Sequence, residues 1–186
     1  MKLKDYVCGN RMERMPGIAF KIMSFSFALK DIFSPVDERL NAFGIEEGFT
    51  VIDYGCGPGR YLKRASELAG ENGRVYAADI HELAIESVRM KIEKHNLKNV
   101  VPILTDGYSC DINDHTADVI YALDMFHMIK DTTPFLEELH RLLKKDGFLI
   151  IEDGHQPRSE TKSKINDSKV WNIAEEFKKH LKCTPV

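Results

Sequence analysis

The stretch "FTVIDYGCGPGRYLKRASELAG", residues 49–70, decides how the rest of the chain is read. A β-branched, apolar run leads into three glycines, Gly55, Gly57 and Gly59. A segment with Leu62, Ala65 and Leu68 at helical spacing follows and stops at Gly70. A turn so poor in side chains, set between a strand and a helix, leaves backbone amides and carbonyls open to a ligand. Two common uses of such a turn fail on spacing. A dinucleotide-binding Gly-x-Gly-x-x-Gly needs glycine where this chain has Arg60, and a phosphate loop needs a closing Gly-Lys-Ser or Gly-Lys-Thr.

Outward from the turn, β-rich runs alternate with helical periodicity. "RVYAAD" (74–79) precedes a helix over 81–96 with Ala84, Val88 and Ile92 four apart, and "VVPILT" (100–105) supplies a third strand. "ADVIYALD" (117–124) is a fourth. The segment 132–147 reads as a helix capped by Thr132 or Thr133, with Pro134 in its first turn and Gly147 beyond its end, and "FLIIED" (148–153) is a fifth strand. Strands that are apolar on both faces and separated by helices belong to a mostly parallel, doubly wound α/β sheet with helices on both faces. Residues 158–169 are polar, a helix or a loop. From 170 onward the periodicity fits either a helix (Val170, Ala174, Phe177, Leu181) or a hairpin turning at Lys178-Lys179.

With 186 residues the chain is one domain: a helical lid over 1–45 and a core over 46–186. Ile18, Ile22, Phe25, Leu29 and Phe33 form the apolar stripe of the lid helix, and Pro35 begins a second short one. Lys21 and Lys30 interrupt that stretch, which falls short of the roughly 20 residues a bilayer span needs, and no cleavage-type run of small residues follows it. We therefore expect a cytoplasmic protein, a monomer or homodimer, without stable membrane insertion. Lys and Arg number 26 against 29 Asp and Glu, a net charge of -3, which argues against nucleic acid as a partner. Cys8, Cys56, Cys110 and Cys183 show no metal-like spacing, so free thiols and no metal are expected.

"VIDYGCGPGRY" closely resembles the first motif of class I S-adenosylmethionine-dependent methyltransferases, and later stretches resemble further motifs in the right order. "VYAADI" ends in an acid, Asp79, which in that family binds the cofactor's ribose hydroxyls. "LTDGYS" offers Asp106 and Gly107 where the family hydrogen-bonds the adenine amino group. "ALDMFHMIKD" and "LHRLLKKDGFLIIED" resemble its fourth motif and its last helix-turn-strand. The resemblance implies a seven-strand Rossmann-like sheet closed by a short C-terminal hairpin, with S-adenosyl-L-methionine as cofactor. It assigns cofactor binding to Asp53, Gly55, Cys56, Gly57, Gly59, Tyr61, Asp79, Ile80, Asp106, Gly107 and Leu123, with Asp53 orienting the glycine turn and the methionine amino group. Cys56 is a small filler there and not a nucleophile.

A sulfonium is already an activated methyl donor, so a metal or covalent intermediate is not needed and the enzyme's task is placement. Asp124 and His127, just beyond the fourth strand, are the candidate catalytic residues for orienting or deprotonating an acceptor; His81 and Tyr6 are weaker candidates. "LDMF" departs from the Asn/Asp-Pro-Pro-Tyr form of amino-group methylases acting on DNA bases or glutamine amides, and Cys8 and Cys110 lack the setting of arsenite methylation. With little chain outside the core, the acceptor is expected to be a small molecule held under an apolar lid. The rival readings are a non-catalytic binding protein on the same fold and an NAD-dependent oxidoreductase.

Overall fold

The computed structural model describes residues 16–22 and 37–186. Tyr6, Cys8, Phe25, Leu29 and Phe33 lie outside the described residues, and the second short helix expected from Pro35 is described over Asp37–Asn41. The elements are α1 (Asp37–Asn41), β1 (Thr50–Tyr54), α2 (Leu62–Ala69), β2 (Arg74–Asp79), α3 (Glu82–His95), β3 (Val100–Leu104) and β4 (Ala117–Ala122). A 3-10 turn (Phe126–Met128) is followed by α4 (Thr132–Leu142), β5 (Leu143–Glu152), α5 (Arg158–Ser168), β6 (Trp171–Glu176) and β7 (His180–Pro185).

The strands form one seven-stranded sheet in the order β3-β2-β1-β4-β5-β7-β6. β1 to β5 pair in parallel, while β7 runs antiparallel to both β5 and β6. Alternation along each strand sends neighbours to opposite faces, and helices cover both. Ile52 and Ile120 pack with Phe135, Leu136 and Leu139 of α4, whereas Val51, Val119 and Tyr121 pack with Leu62 and Ala65 of α2 and Val88 of α3. After β1 the chain goes to one side for β2 and β3 and returns to the other for β4. This places a topological switch point, and therefore a crevice, beyond the carboxyl ends of β1 and β4.

Several local expectations are corrected. The helix expected over 132–147 ends at Leu142, and Leu143 already has extended backbone; Asp131 precedes the helix without a capping side-chain hydrogen bond. The chain leaves the helix early because Leu143 is buried opposite Ala117 and Lys144 pairs with Asp118 at 2.6 Å. Gly147 therefore serves a strand: a Cβ there would stand 2.7 Å from the Asp118 carbonyl. Two segments agree with what the sequence leaves open or the resemblance implies: residues 158–168 are helical, and the last segment is the hairpin. Trp171 helps decide the latter by burying its ring and donating its indole N–H to the Leu136 carbonyl at 3.0 Å. In the described part of the segment expected to form a lid, residues 17–22 are helical, but Phe20 is the buried side chain, while Ile18 and Ile22 are 75% and 66% exposed.

Candidate functional site

The crevice at the switch point encloses about 1130 Å³, its open mouth included. Its floor is the turn after β1. Gly55, Gly57 and Gly59 all have positive φ (80°, 53° and 75°), but they differ in what surrounds them. A Cβ on Gly59 would stand 2.7 Å from Leu62 Cδ1, so this glycine lets α2 pack close to the turn. A Cβ on Gly57 would meet nothing within 4 Å, so the bare backbone there faces open space.

Asp79 closes one side. One carboxylate oxygen accepts the Gly57 amide and the other the His81 amide, each at 2.8 Å. It does not cap α3: His81 does, through its ring Nδ1, which accepts from the Leu83 amide at 3.1 Å. Burial raises the Asp79 pKa, against the hydrogen bonds from His81 and Gly57 that lower it. Asp53, next to the carboxyl end of β1, is 2% exposed, and its Oδ2 has no hydrogen-bond partner. Burial pushes its carboxyl up to about 8. Cys56 is buried and its thiol donates to the Gly57 carbonyl at 3.7 Å; burial and the nearby Asp53 and Asp79 carboxyls raise its pKa, which keeps it a protonated filler.

The far wall comes from the loop after β3. Asp106 uses Oδ1 to accept the Tyr108 and Ser109 amides at 2.9 and 2.7 Å, and Gly107, at φ 97°, brings the backbone against Ile80. The Tyr54 hydroxyl donates to the Gly107 carbonyl at 3.2 Å, which ties this loop to β1. At the mouth, Phe20 lies on the His81 ring with centroids 4.6 Å apart.

Beyond β4, Leu123 and Asp124 line the crevice together with Met125, Met128 and Ile129. Asp124 is left-handed, with φ 57°. Its amide donates to Glu152 at 3.0 Å, and Arg39 and Arg60 each approach its Oδ2 at 3.9 Å. Arg39 also donates to the Tyr61 hydroxyl at 2.9 Å and pairs with buried Glu152.

The structure thus brings Asp53, Gly55, Cys56, Gly57, Tyr61, Asp79, Ile80, Asp106, Gly107, Leu123 and Asp124 to one crevice. Gly59 and His127 do not line it. His127 instead sits behind the wall, edge-on to His155 with centroids 4.9 Å apart and against Gly154. Its Nδ1 is buried without a partner, and burial lowers its pKa, with His155 adding to the effect. Sequence reasoning missed Arg39, Glu152 and Tyr121. Arg39 and Glu152 belong to elements that meet only in the fold, and Tyr121 reads as an ordinary strand residue. Among the described residues no cluster of His, Cys, Asp and Glu could hold a metal ion, and no helix is long and apolar enough to cross a membrane.

A parallel sheet of this order with an antiparallel last strand, a glycine turn after β1 and an acid ending β2 is the architecture of class I S-adenosylmethionine-dependent methyltransferases. The chain belongs to the methyltransferase-domain family, which it matches over residues 45–183. It is 28% identical to the ubiquinone/menaquinone biosynthesis C-methyltransferase UbiE of Klebsiella pneumoniae subsp. pneumoniae over 135 residues, 72% of this chain and 54% of that protein. The Escherichia coli protein of the same name is 27% identical over equal shares. The chain thus spans about half the length of these curated relatives. Among solved structures, an S-adenosylmethionine-dependent methyltransferase from Aquifex aeolicus superposes with a TM-score of 0.74 at 28% identity, covering 86% of this chain and 97% of that one. An O-methyltransferase from Thermotoga maritima shares the fold, with a TM-score of 0.64 at 18% identity over 82% and 65% of the two chains.

S-adenosylmethionine is the cofactor that the family and these neighbours imply. The residues present fit it on two observations: the buried Asp53 oxygen without a donor can face a cationic head group, and the open space at Gly57 admits a ligand against the backbone.

Proposed function

We propose that the chain binds S-adenosylmethionine in the crevice and transfers its methyl group to a small-molecule acceptor. The observation that carries this reading is Asp79. Backbone amides on either side hold its carboxylate beside the open glycine turn, yet each oxygen keeps a lone pair for a ligand hydroxyl. When bound, the cofactor supplies a methyl group already activated on sulfur, so the chain's part is to bind, orient and exclude water. Asp79 and Asp53 hold the polar ends, while Ile80 and Leu123 offer apolar surface to the ring and chain. Asp106 keeps Oδ2 for a ligand donor, its Oδ1 being committed to the turn.

Asp124 is the polar side chain of the post-β4 wall, and we assign to it the orientation of the acceptor. Around it Met125, Met128, Ile129 and Phe20 make an apolar rim suited to a small, largely apolar acceptor, with the segment that carries Phe20 acting as a lid. His127 takes no direct part in this scheme. We place the protein in the cytoplasm, a setting that suits the free, buried thiols of Cys56, Cys110 and Cys183.

Calorimetric titration with S-adenosylhomocysteine and, separately, NAD tests the reading. Wild-type protein is expected to bind the former at micromolar concentration and not the latter, and Asp79→Ala to lose about a hundredfold in affinity. A folded protein that binds neither compound, or NAD alone, would sink the proposal.

A further inference from the structure

Tyr121 has no part in the scheme above, yet its position is unusual. Asp53 of β1 and Tyr121 of β4 are direct partners in the parallel ladder, so their side chains stand side by side on the face covered by α2 and α3. Tyr121 is 0% exposed. Its hydroxyl and the neighbouring Asp53 Oδ2 are both buried, and neither makes a hydrogen bond of normal geometry. A donor and an acceptor left unsatisfied next to each other in a core is an arrangement that folded chains avoid unless something completes it. Asp53 lines the crevice and Tyr121 does not, so a ligand touches the carboxylate and the hydroxyl lies behind it.

We propose that Tyr121 is a positioning residue for the cofactor site. When a cationic ligand group meets Asp53 and the carboxylate ionises, the Tyr121 hydroxyl donates to it from behind and fixes its direction. This rests on the cofactor reading above. The proton that Asp53 loses passes to solvent, and the ligand's positive charge compensates the carboxylate.

The surroundings agree with that order of events. Without a ligand, burial raises Asp53 to about 8, with Asp79 of β2 adding to the rise, while the Tyr121 hydroxyl and Lys91 of α3 pull the other way. Cys56 in the turn also faces Asp53, and Tyr61 at the start of α2 faces Tyr121. Lys91 donates to the Gly59 carbonyl at 2.9 Å, which holds its ammonium at the turn. A ligand cation is the further positive charge this pocket can receive.

The test is calorimetry with S-adenosylhomocysteine between about pH 6 and about pH 9, on wild type, Tyr121→Phe, Asp53→Asn and the double variant. Wild-type affinity is expected to rise with pH and flatten above about 8, with close to one proton released per ligand near pH 7. Tyr121→Phe keeps the ring that packs against Phe43 and Tyr61, so it should melt like the wild type. Its affinity near pH 7 should fall about tenfold, and the midpoint of its pH dependence should move upward, because the carboxyl has lost a donor that favours its ionised form. In the Asp53→Asn background the same change should alter affinity by less than about twofold.

An unshifted midpoint in Tyr121→Phe overturns the proposal, as does a loss that is equal at every pH and persists undiminished in the double variant. Wild-type binding without proton release overturns the ionisation step on wild-type protein alone. Failure of the folded wild type to bind S-adenosylhomocysteine at all would instead remove the cofactor reading on which this one stands.

Discussion

At the scale of single residues, the glycine turn divides its labour. All three glycines occupy backbone that disfavours other residues, but a Cβ on Gly59 would meet Leu62 whereas one on Gly57 would meet open space. Gly59→Ala would push a methyl into Leu62 and is expected to cost about 2 kcal/mol of stability in urea denaturation. Gly57→Ala enters open space at φ 53°, where alanine is strained by only about 1 kcal/mol. It should leave the protein folded and abolish measurable S-adenosylhomocysteine binding. If both variants lost stability alike and both kept the ligand, Gly57 would be a packing glycine and the open turn no ligand surface.

At the scale of elements, the site depends on how a helix grips a loop. Glu138 of α4, 7% exposed, accepts the Cys110 amide at 2.7 Å and pairs with Arg141 at 2.7 Å. Arg141 in turn donates to the carbonyls of Cys110 and Ile112 at 3.0 and 2.9 Å. This clamp anchors the C-terminal half of the β3–β4 loop whose other end carries Asp106 and Gly107. Glu138→Ala leaves a buried amide unsatisfied and a guanidinium without its main partner, with an expected loss of about 2 to 3 kcal/mol. Ligand affinity should weaken with it, because the Asp106 wall loosens. Equilibrium denaturation beside calorimetry separates the two effects, and unchanged affinity in a destabilised variant would mean the loop is held from β3 alone. A similar bond between elements sits beyond β4, where Glu152 of β5 holds the Asp124 amide and Arg39 of α1 neutralises Glu152.

At the scale of the whole molecule, burial of carboxyls sets how stability responds to pH. Asp53, raised to about 8 in the fold, has an ordinary pKa near 4 in the unfolded chain, and Asp79 is shifted in the same direction. The folded state thus holds more protons than the unfolded one between those values. The stability Asp53 contributes is full below about pH 4 and is lost as pH rises through about 8. Each unit of separation is worth about 1.4 kcal/mol, so the loss is bounded at about 6 kcal/mol. Thermal melts from about pH 5 to about pH 9 should show the wild type declining and Asp53→Asn declining less. Parallel profiles for the two proteins would show that Asp53 is not the group that titrates.

The same residues separate what the chain announces from what it conceals. The strand, glycine turn and helix of 49–70, the acid ending β2 and the alternation of strands and helices follow from local sequence. Backbone preference, period and turn chemistry act over a few neighbours, and units that must bury both faces make a mostly parallel sheet covered by helices. Residues 170–186 are ambiguous in sequence because helical and strand periods both fit. Pairing of β7 with β5, which buries Leu181 and Cys183, together with the Trp171 indole bond to the Leu136 carbonyl of α4, makes the hairpin the better solution. The early end of α4 likewise answers to Asp118 and Ala117, on a strand outside its own segment. His127 and Tyr121 show the limit most clearly. Counting from a strand end puts His127 near the crevice, but the side chain packs against His155 and Gly154 and does not line it. Tyr121 carries no motif and is brought beside Asp53 by ladder register. The sequence by itself determined the fold class and the positions of the turn and its acids, because those are written in short-range pattern. Which side chains meet in the crevice was decided by tertiary structure, because side-chain direction depends on partners that the chain brings together only when the sheet closes.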